Sequence, residues 1–177
     1  LNKDENLIAE VYQTEITIDY LNTEITDYLV QINTLSLPVA DRKMLGGLFH
    51  VVNDIERIGD HAENIADFAK TCIDQELSFS ADAEKELKEM LKDTCEILSL
   101  ALNMFSHTSE EHLQEIIDLE NEIDGMERQL QNNHIVRLTS DKCQAHAGMI
   151  FTDVVSGLER IADHSTNIAF SILKDDP

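Results

Sequence analysis

Apolar residues return at intervals of three and four over almost the whole chain, the spacing that gathers them on one face of an α-helix. Leu7, Val11, Ile18, Leu21, Ile25, Leu29 and Ile32 trace such a face and predict a first helix from about residue 4 to 34. The TLSLP segment ends it, because a residue before proline is steered away from helical backbone angles. Pro38 suits the first position of a second long helix reaching about Asp74, where its missing N–H would have had no partner anyway. Ser80 reads as the N-cap of a third helix, with Asp82 and Glu84 at the positive end of its dipole, and this helix should stop near Ser106. Thr108 and Glu111 have capping-box spacing, which places the start of a fourth helix there and its end near Leu138. After the TSDKCQ break a fifth helix covers about residues 145 to 174. Two prolines and six glycines offer little to interrupt these segments, so the expected fold is all-α. Gly46 and Gly47 fall inside the second helix and read as a close helix contact rather than a phosphate loop.

The sequence also repeats itself. Residues 56–66, ERIGDHAENIA, return at 159–169 as ERIADHSTNIA, with eight identities in eleven positions. Upstream, Glu15-Ile-Thr-Ile-Asp19 matches Glu120-Asn-Glu-Ile-Asp124, so the duplicated unit includes the preceding helix. The helix at about 80–106 has no counterpart in the first half. The expected architecture is up-down helical bundles built from two repeats of a three-helix unit, residues 1–76 with two motif helices and 77–177 with three. A first repeat lacking its leading helix should leave an apolar groove uncovered between its two helices, which favours a homodimer.

Charge narrows the choice of partner. With 35 acids against 13 basic residues the formal charge is −22, which repels nucleic acid and anionic lipid and favours cations or a basic protein surface. No segment approaches the ~20 apolar residues that span a bilayer, and LNKDENLIAE lacks the pattern of a signal peptide, so no direct membrane insertion of this chain is expected. Cys72, Cys95 and Cys143 are odd in number and far apart, which fits a reducing cytoplasm. A start at Leu1 rather than Met fits a domain taken from a longer protein.

Four Glu-x-x-x-Asp pairs stand at equivalent places: Glu15 with Asp19, Glu56 with Asp60, Glu120 with Asp124, and Glu159 with Asp163. At ~100° per residue the two acids of a pair share one helix face, where they repel unless a cation lies between them. Asn64 and Asn167 extend that face by another turn. Glu56 and Asp60 border the apolar arc of Val52, Ile55, Gly59 and Ala66, so they should be drawn partly out of water and need partners. Metal ions are one such partner; an ionic lattice with Arg57 and Arg160 is the other. His61 and His164 follow the aspartates but are turned off the acid face, which makes them flanking residues. His50 aligns with Asp153, an exchange between two metal-binding residue types that adds Asp153 to the candidate ligands. His107, His112, His134 and His146 have no repeat partner and read as surface or helix-end residues. No Glu-x-x-His, HExxH, GxxxxGK[ST], GxSxG or GxGxxG occurs, and no activated nucleophile is evident, so no enzyme is expected. Carboxylate and carbonyl oxygens suit hard ions such as iron(III), manganese, magnesium or calcium, and zinc also fits.

PVADRK at 38–43, NDIERIGDHAENIA at 53–66 and SGLERIADHSTNIA at 156–169 resemble the signature of the PhoU family, and the resemblance runs over nearly the whole chain. It implies two similar three-helix bundles, regulation of phosphate uptake, and multinuclear metal sites, with iron the metal, held through E/D-x-x-x-D motifs that fall here on the four acid pairs. NKDENLIAEVY and HVVNDIERIGDHAENIA are also similar to the cytoplasmic PhoU-like region of bacterial sodium/phosphate cotransporters. That likeness implies a membrane transporter portion or transport complex as partner, and a cytoplasmic place as the soluble domain of an inner-membrane protein. The expectation is a metal-binding regulatory domain. The alternatives are a metal-free helical adaptor that takes basic loops of a partner, and a carboxylate-bridged metalloenzyme.

Overall fold

The computed structural model describes residues 4–139 and 144–173. Among these residues the chain forms five helices and no strand: α1 Glu5–Asn33, α2 Val39–Asp74, α3 Ala81–His107, α4 Leu113–Thr139 and α5 Ala145–Phe170. The Asp4 side chain accepts from the Asn6 N–H at 3.0 Å and opens α1. Ser80 caps α3 as expected, accepting from the Ala83 N–H at 3.2 Å. Pro38 stands one place earlier than expected, as the N-cap of α2.

The capping box expected at Thr108 does not form. Thr108 instead closes α3 in a left-handed conformation, with φ 49°, and the reversal lets the Ser109 N–H reach the Met104 carbonyl at 3.1 Å. Satisfying the orphan carbonyls at the end of α3 therefore takes the residue that would have started α4. The Ser109 hydroxyl accepts from the Glu111 N–H, and α4 begins only at Leu113.

Helices α3, α4 and α5 make a bundle whose seams repeat every seven residues. Met90, Ile97 and Met104 on α3 meet Ile116, Ile123 and Leu130 on α4, with Phe151, Val155 and Leu158 of α5 closing the core. α2 packs along α5, and the two run antiparallel, since Asp54 reaches His164 while Ile65 lies against Gly157. α1 packs on α2 and, among the described residues, on no other helix. Few residues of these two helices are buried, Glu15 and Leu29 on α1 and Leu45, Val51, Gly59, Ala66 and Cys72 on α2, and of these Gly59 meets Ile18 of α1 whereas Cys72 faces α3 and α5. The hairpin leaves Leu7, Tyr20, Leu21, Tyr28 and Met44 exposed.

Two expectations fail in the packing. A Cβ on Gly46 or Gly47 would meet nothing within 4 Å, so these glycines make no close helix contact. The close approach is at Gly148, where a Cβ would fall 2.5 Å from Cε1 of His134. His134 is itself a correction, because it is buried rather than at the surface. Its ring stacks on Phe151 at 5.5 Å between centroids, and burial, helped by the nearby Arg137, lowers its pKa. The reason is periodicity: His134 continues the row of Ile116, Ile123 and Leu130, and it stands where Leu29 stands in the first repeat.

Candidate metal centre

In the second repeat the acid pairs face each other across the α4–α5 seam. On α4 the buried row of Ile116, Ile123 and Leu130 fixes the helix's rotation, and Glu120 and Asp124 follow on the adjoining stripe. Glu120, Asp124 and Asp163 each bring one oxygen into a group whose members all lie within 4.8 Å of one another. The first two are half-buried and Asp163 is exposed. Glu159 stands one turn before Asp163, and its pKa is pushed up to about 7 by burial and then by the charges of Asp163, Glu127 and Asp124. Burial and Asp124 likewise raise Glu120 and Asp163. These acids compete for protons because their negative charges are held together partly out of water.

The first repeat carries the matching acids on α1 and α2. Glu15 is buried, although shallowly, because the hairpin is only two helices thick. That burial raises its pKa, and Asp19, Glu63 and Asp60 add to the effect. Glu56 is raised by burial and then by Asp60 and Asp19. Glu15 and Glu56 therefore both feel the charges of Asp19 and Asp60. The tight trio of the second repeat has no equal here among the described residues. Near this site the Tyr12 hydroxyl donates to Asp67 at 2.6 Å and ties α1 to α2, which pushes the phenol up to about 12.

The remaining candidates lie apart. Asn64 is exposed and donates its amide to the Asp60 carbonyl at 2.8 Å, and Asn167 is exposed as well. Asp153 is exposed beside His134 and Met149, roughly 9 Å before Glu159 along α5 at the usual helix rise. Arg57 and Arg160 are exposed and make no ion pair with these acids among the described residues. His61 and His164 turn away from the acids, as their helix step requires, and stack on each other at 5.8 Å where α2 crosses α5. Nδ1 of His164 lies 2.8 Å from an Asp54 carboxylate oxygen, a link between repeats that no motif signalled. Glu63 and Glu127, whose charges act on the two sites, were also missed.

An all-oxygen, anionic donor set drawn from two helices fits a hard multivalent cation, since a cation offsets the repulsion that the upward pKa shifts record. A pH effect follows. In the metal-free protein Glu159 holds its proton to about 7, whereas the unfolded chain releases it near its ordinary value of 4.5. Its contribution to stability is therefore full below the unfolded value and is lost as pH rises through the folded one. Glu15, Glu56, Glu120 and Asp163 shift in the same direction. Denaturant titrations of metal-free protein should show stability falling as pH rises from about 4.5 to 7. Carboxyl NMR should place the Glu159 midpoint near neutrality.

The family profile described as the PhoU domain matches residues 1–69 and 87–172. The chain is 25% identical over 171 residues to the phosphate-specific transport system accessory protein PhoU homolog 1 of Thermotoga maritima, covering 96% of this chain and 73% of that protein. It is 23% identical over 173 residues to the PhoU homolog of Clostridium acetobutylicum, covering 97% and 78%. The crystal structure of PhoU from Pseudomonas aeruginosa superposes with a TM-score of 0.89 at 21% identity, over 97% of this chain and 81% of that one. The phosphate transport system regulatory protein PhoU from Streptococcus pneumoniae gives 0.77 at 22%, over 96% and 79%. At these identities the two structures establish the fold, a helical bundle of the same kind.

Proposed function

The chain belongs to the PhoU family, and from that premise we propose that it regulates phosphate transport and binds hard metal ions at two carboxylate sites, one in each repeat. Its relatives are named as accessory proteins of the phosphate-specific transport system, which supports a regulatory rather than a catalytic role. The observation that carries the metal reading is the trio of Glu120, Asp124 and Asp163, with oxygens within 4.8 Å of one another on two different helices. Bound ions would be held by Glu15, Asp19, Glu56 and Asp60 in one repeat and by Glu120, Asp124, Glu159 and Asp163 in the other. They would supply positive charge that pins α1 to α2 and α4 to α5. Iron is the metal we propose on the family likeness, with manganese, magnesium and zinc also compatible with the donors. The setting proposed is the cytoplasmic face of a membrane phosphate transporter, either as a separate accessory protein or as part of a sodium/phosphate cotransporter.

Elemental analysis of protein purified without added metal tests this reading. Stoichiometric metal is expected. Protein that carries none, and takes up none on titration with terbium(III) or manganese(II), leaves the metal-free adaptor reading in its place.

The apolar side chains left exposed on α1 and the start of α2 support a homodimer in solution. Light scattering should give twice the chain mass at micromolar concentration. A monodisperse monomer over a wide concentration range would overturn this.

A further inference from the structure

The stretch that each repeat carries as Glu-Arg-Ile-x-Asp-His supplies more than the acid pair. Arg57 and His61 on α2, and Arg160 and His164 on α5, are four residues apart and so share a stripe of their helix. The contacts Asp54–His164 and Ile65–Gly157 fix the antiparallel register of the two helices. On that register Arg57 stands about level with His164, and Arg160 about level with His61. The two arginines are therefore about three residues, roughly 4–5 Å, apart along the helix pair. Between them the imidazole rings stack at 5.8 Å, with their planes 21° apart. Two guanidinium groups and two imidazoles thus meet at one crossing, on a chain whose formal charge is −22.

Most of this donor capacity is unspent. Arg57 and Arg160 are exposed and have no ion pair and no hydrogen bond among the described residues. His164 is committed, because its Nδ1 lies 2.8 Å from Asp54, which fixes the ring. His61 is half-buried, stacked on that fixed ring, and has no hydrogen-bond partner among the described residues. Burial lowers its pKa first, and then His164, Arg160 and Arg57 do, so both guanidinium groups act on this ring. A neutral imidazole still offers one N–H. Two arginine forks beside an N–H make a donor set suited to an oxyanion. Glu56, Asp60, Glu159 and Asp163 on the neighbouring stripes, together with Asp54, oppose an anion there for as long as their charge is uncompensated.

We propose that the α2–α5 crossing is an anion site, in which Arg57, Arg160 and His61 hold inorganic phosphate while the carboxylate sites on either side carry metal. The dependence on metal rests on the reading that the acid pairs bind it, whereas the donor set stands without that reading. Cations on both flanks turn the surrounding field from repulsive to attractive for an anion. The crossing is also where the two repeats meet, so a bound phosphate bridges α2 and α5 and ties one repeat to the other.

Isothermal titration calorimetry with inorganic phosphate tests this on the whole chain, first as purified with its metal counted by elemental analysis, and again after chelation and dialysis. The metal-bearing wild type should bind phosphate, and the chelated protein should bind it roughly tenfold more weakly or not at all. Arg57→Gln and Arg160→Gln should each weaken binding by roughly tenfold or more, the scale of a hydrogen bond to a charged group. Neither should lower the metal content, and Arg57→Lys should recover only part of the loss, since it restores the charge without the fork. Arg128→Gln, which removes an exposed charge on α4 instead, should leave the affinity unchanged, and circular dichroism verifies that every variant folds. Metal-bearing wild type that takes no phosphate overturns the anion site and leaves the metal reading standing. Binding that survives both arginine changes overturns it as well, since the anion then sits on the metal itself. Phosphate bound equally with and without metal, and lost in the arginine variants, upholds the site and removes its dependence on metal. Protein that takes up neither metal nor phosphate overturns both readings.

Discussion

Stripping metal from the wild-type protein with a chelator is expected to lower its melting temperature by roughly 5–10 °C for each site emptied. Metal at about one hundred times its dissociation constant contributes about 2.7 kcal/mol per site by linkage. For a domain of this size each kcal/mol corresponds to about 2–4 °C. The physical source is charge. At an effective dielectric near 20, two carboxylates about 4 Å apart repel by roughly 4 kcal/mol, and a protein without cations relieves this only by taking up protons or splaying its helices. Glu159, pushed up to about 7, already records the first response. The double change Asp60→Asn and Asp163→Asn should abolish the chelator response and reduce metal content, while raising metal-free stability because fewer like charges remain. Calorimetry with and without chelator checks this, and identical melting curves for the wild type would sink the paired-site reading.

Phe151→Ala should cost about 3–5 kcal/mol, the range for emptying a buried aromatic position. Phe151 is 1% exposed and joins four groups: His134 stacked on it, Phe79 edge-on at 6.1 Å, Arg137 over its face at 4.8 Å, and the α3–α4–α5 core. The upper part of the range is expected, because Nη2 of Arg137 is buried without a hydrogen-bond partner and the ring face is its compensation. Arg137 is already committed through Nη1 to Glu86 at 2.7 Å, so it cannot swing away without breaking that pair. Ile135→Ala, on the exposed face of α4, should change stability by no more than about 0.5 kcal/mol. Urea unfolding of both variants measures the contrast. A loss near 1 kcal/mol for Phe151→Ala would mean that the core relaxes around the gap.

The helices were legible because burial obeys the period of the helix. The five helices stand where periodicity and breaks placed them, but of the row that predicted α1 only Leu29 is buried while Leu7, Leu21 and Ile25 are exposed, because α1 has one neighbouring helix among the described residues; the acid pairs face one another because equal spacing on paired helices brings them together. Thr108 misled because its sequence neighbourhood suits both an ending and a beginning, and only the three-dimensional path shows that α3 needs it for closure. His134 was hidden by its polarity, although its position in the row with Leu130 marked it as interior. Gly46 and Gly47 carried no packing role because a side chain at either would point into open space. Glu63 and Glu127 escaped comparison of the repeats because they do not align with each other. The space between two helices is indifferent to which of them supplies the charge, whereas alignment is not.

Because α1, among the described residues, rests on α2 alone, the α1–α2 hairpin is the shallower unit of the fold and α3–α5 the deeper. Opening the α1–α2 hairpin exposes a thin core and breaks the Tyr12–Asp67 bond, whereas opening α3–α5 empties the whole seam of Met90, Ile97, Ile123 and Phe151. The shallow unit sets the lowest free energy at which the native state breathes, and the first carboxylate site lies inside it. Ion occupancy there would govern the lifetime of a locally opened state rather than the survival of the fold. On the function proposed above, such a fluctuation is a signal that the phosphate transport system could read without the protein ever unfolding.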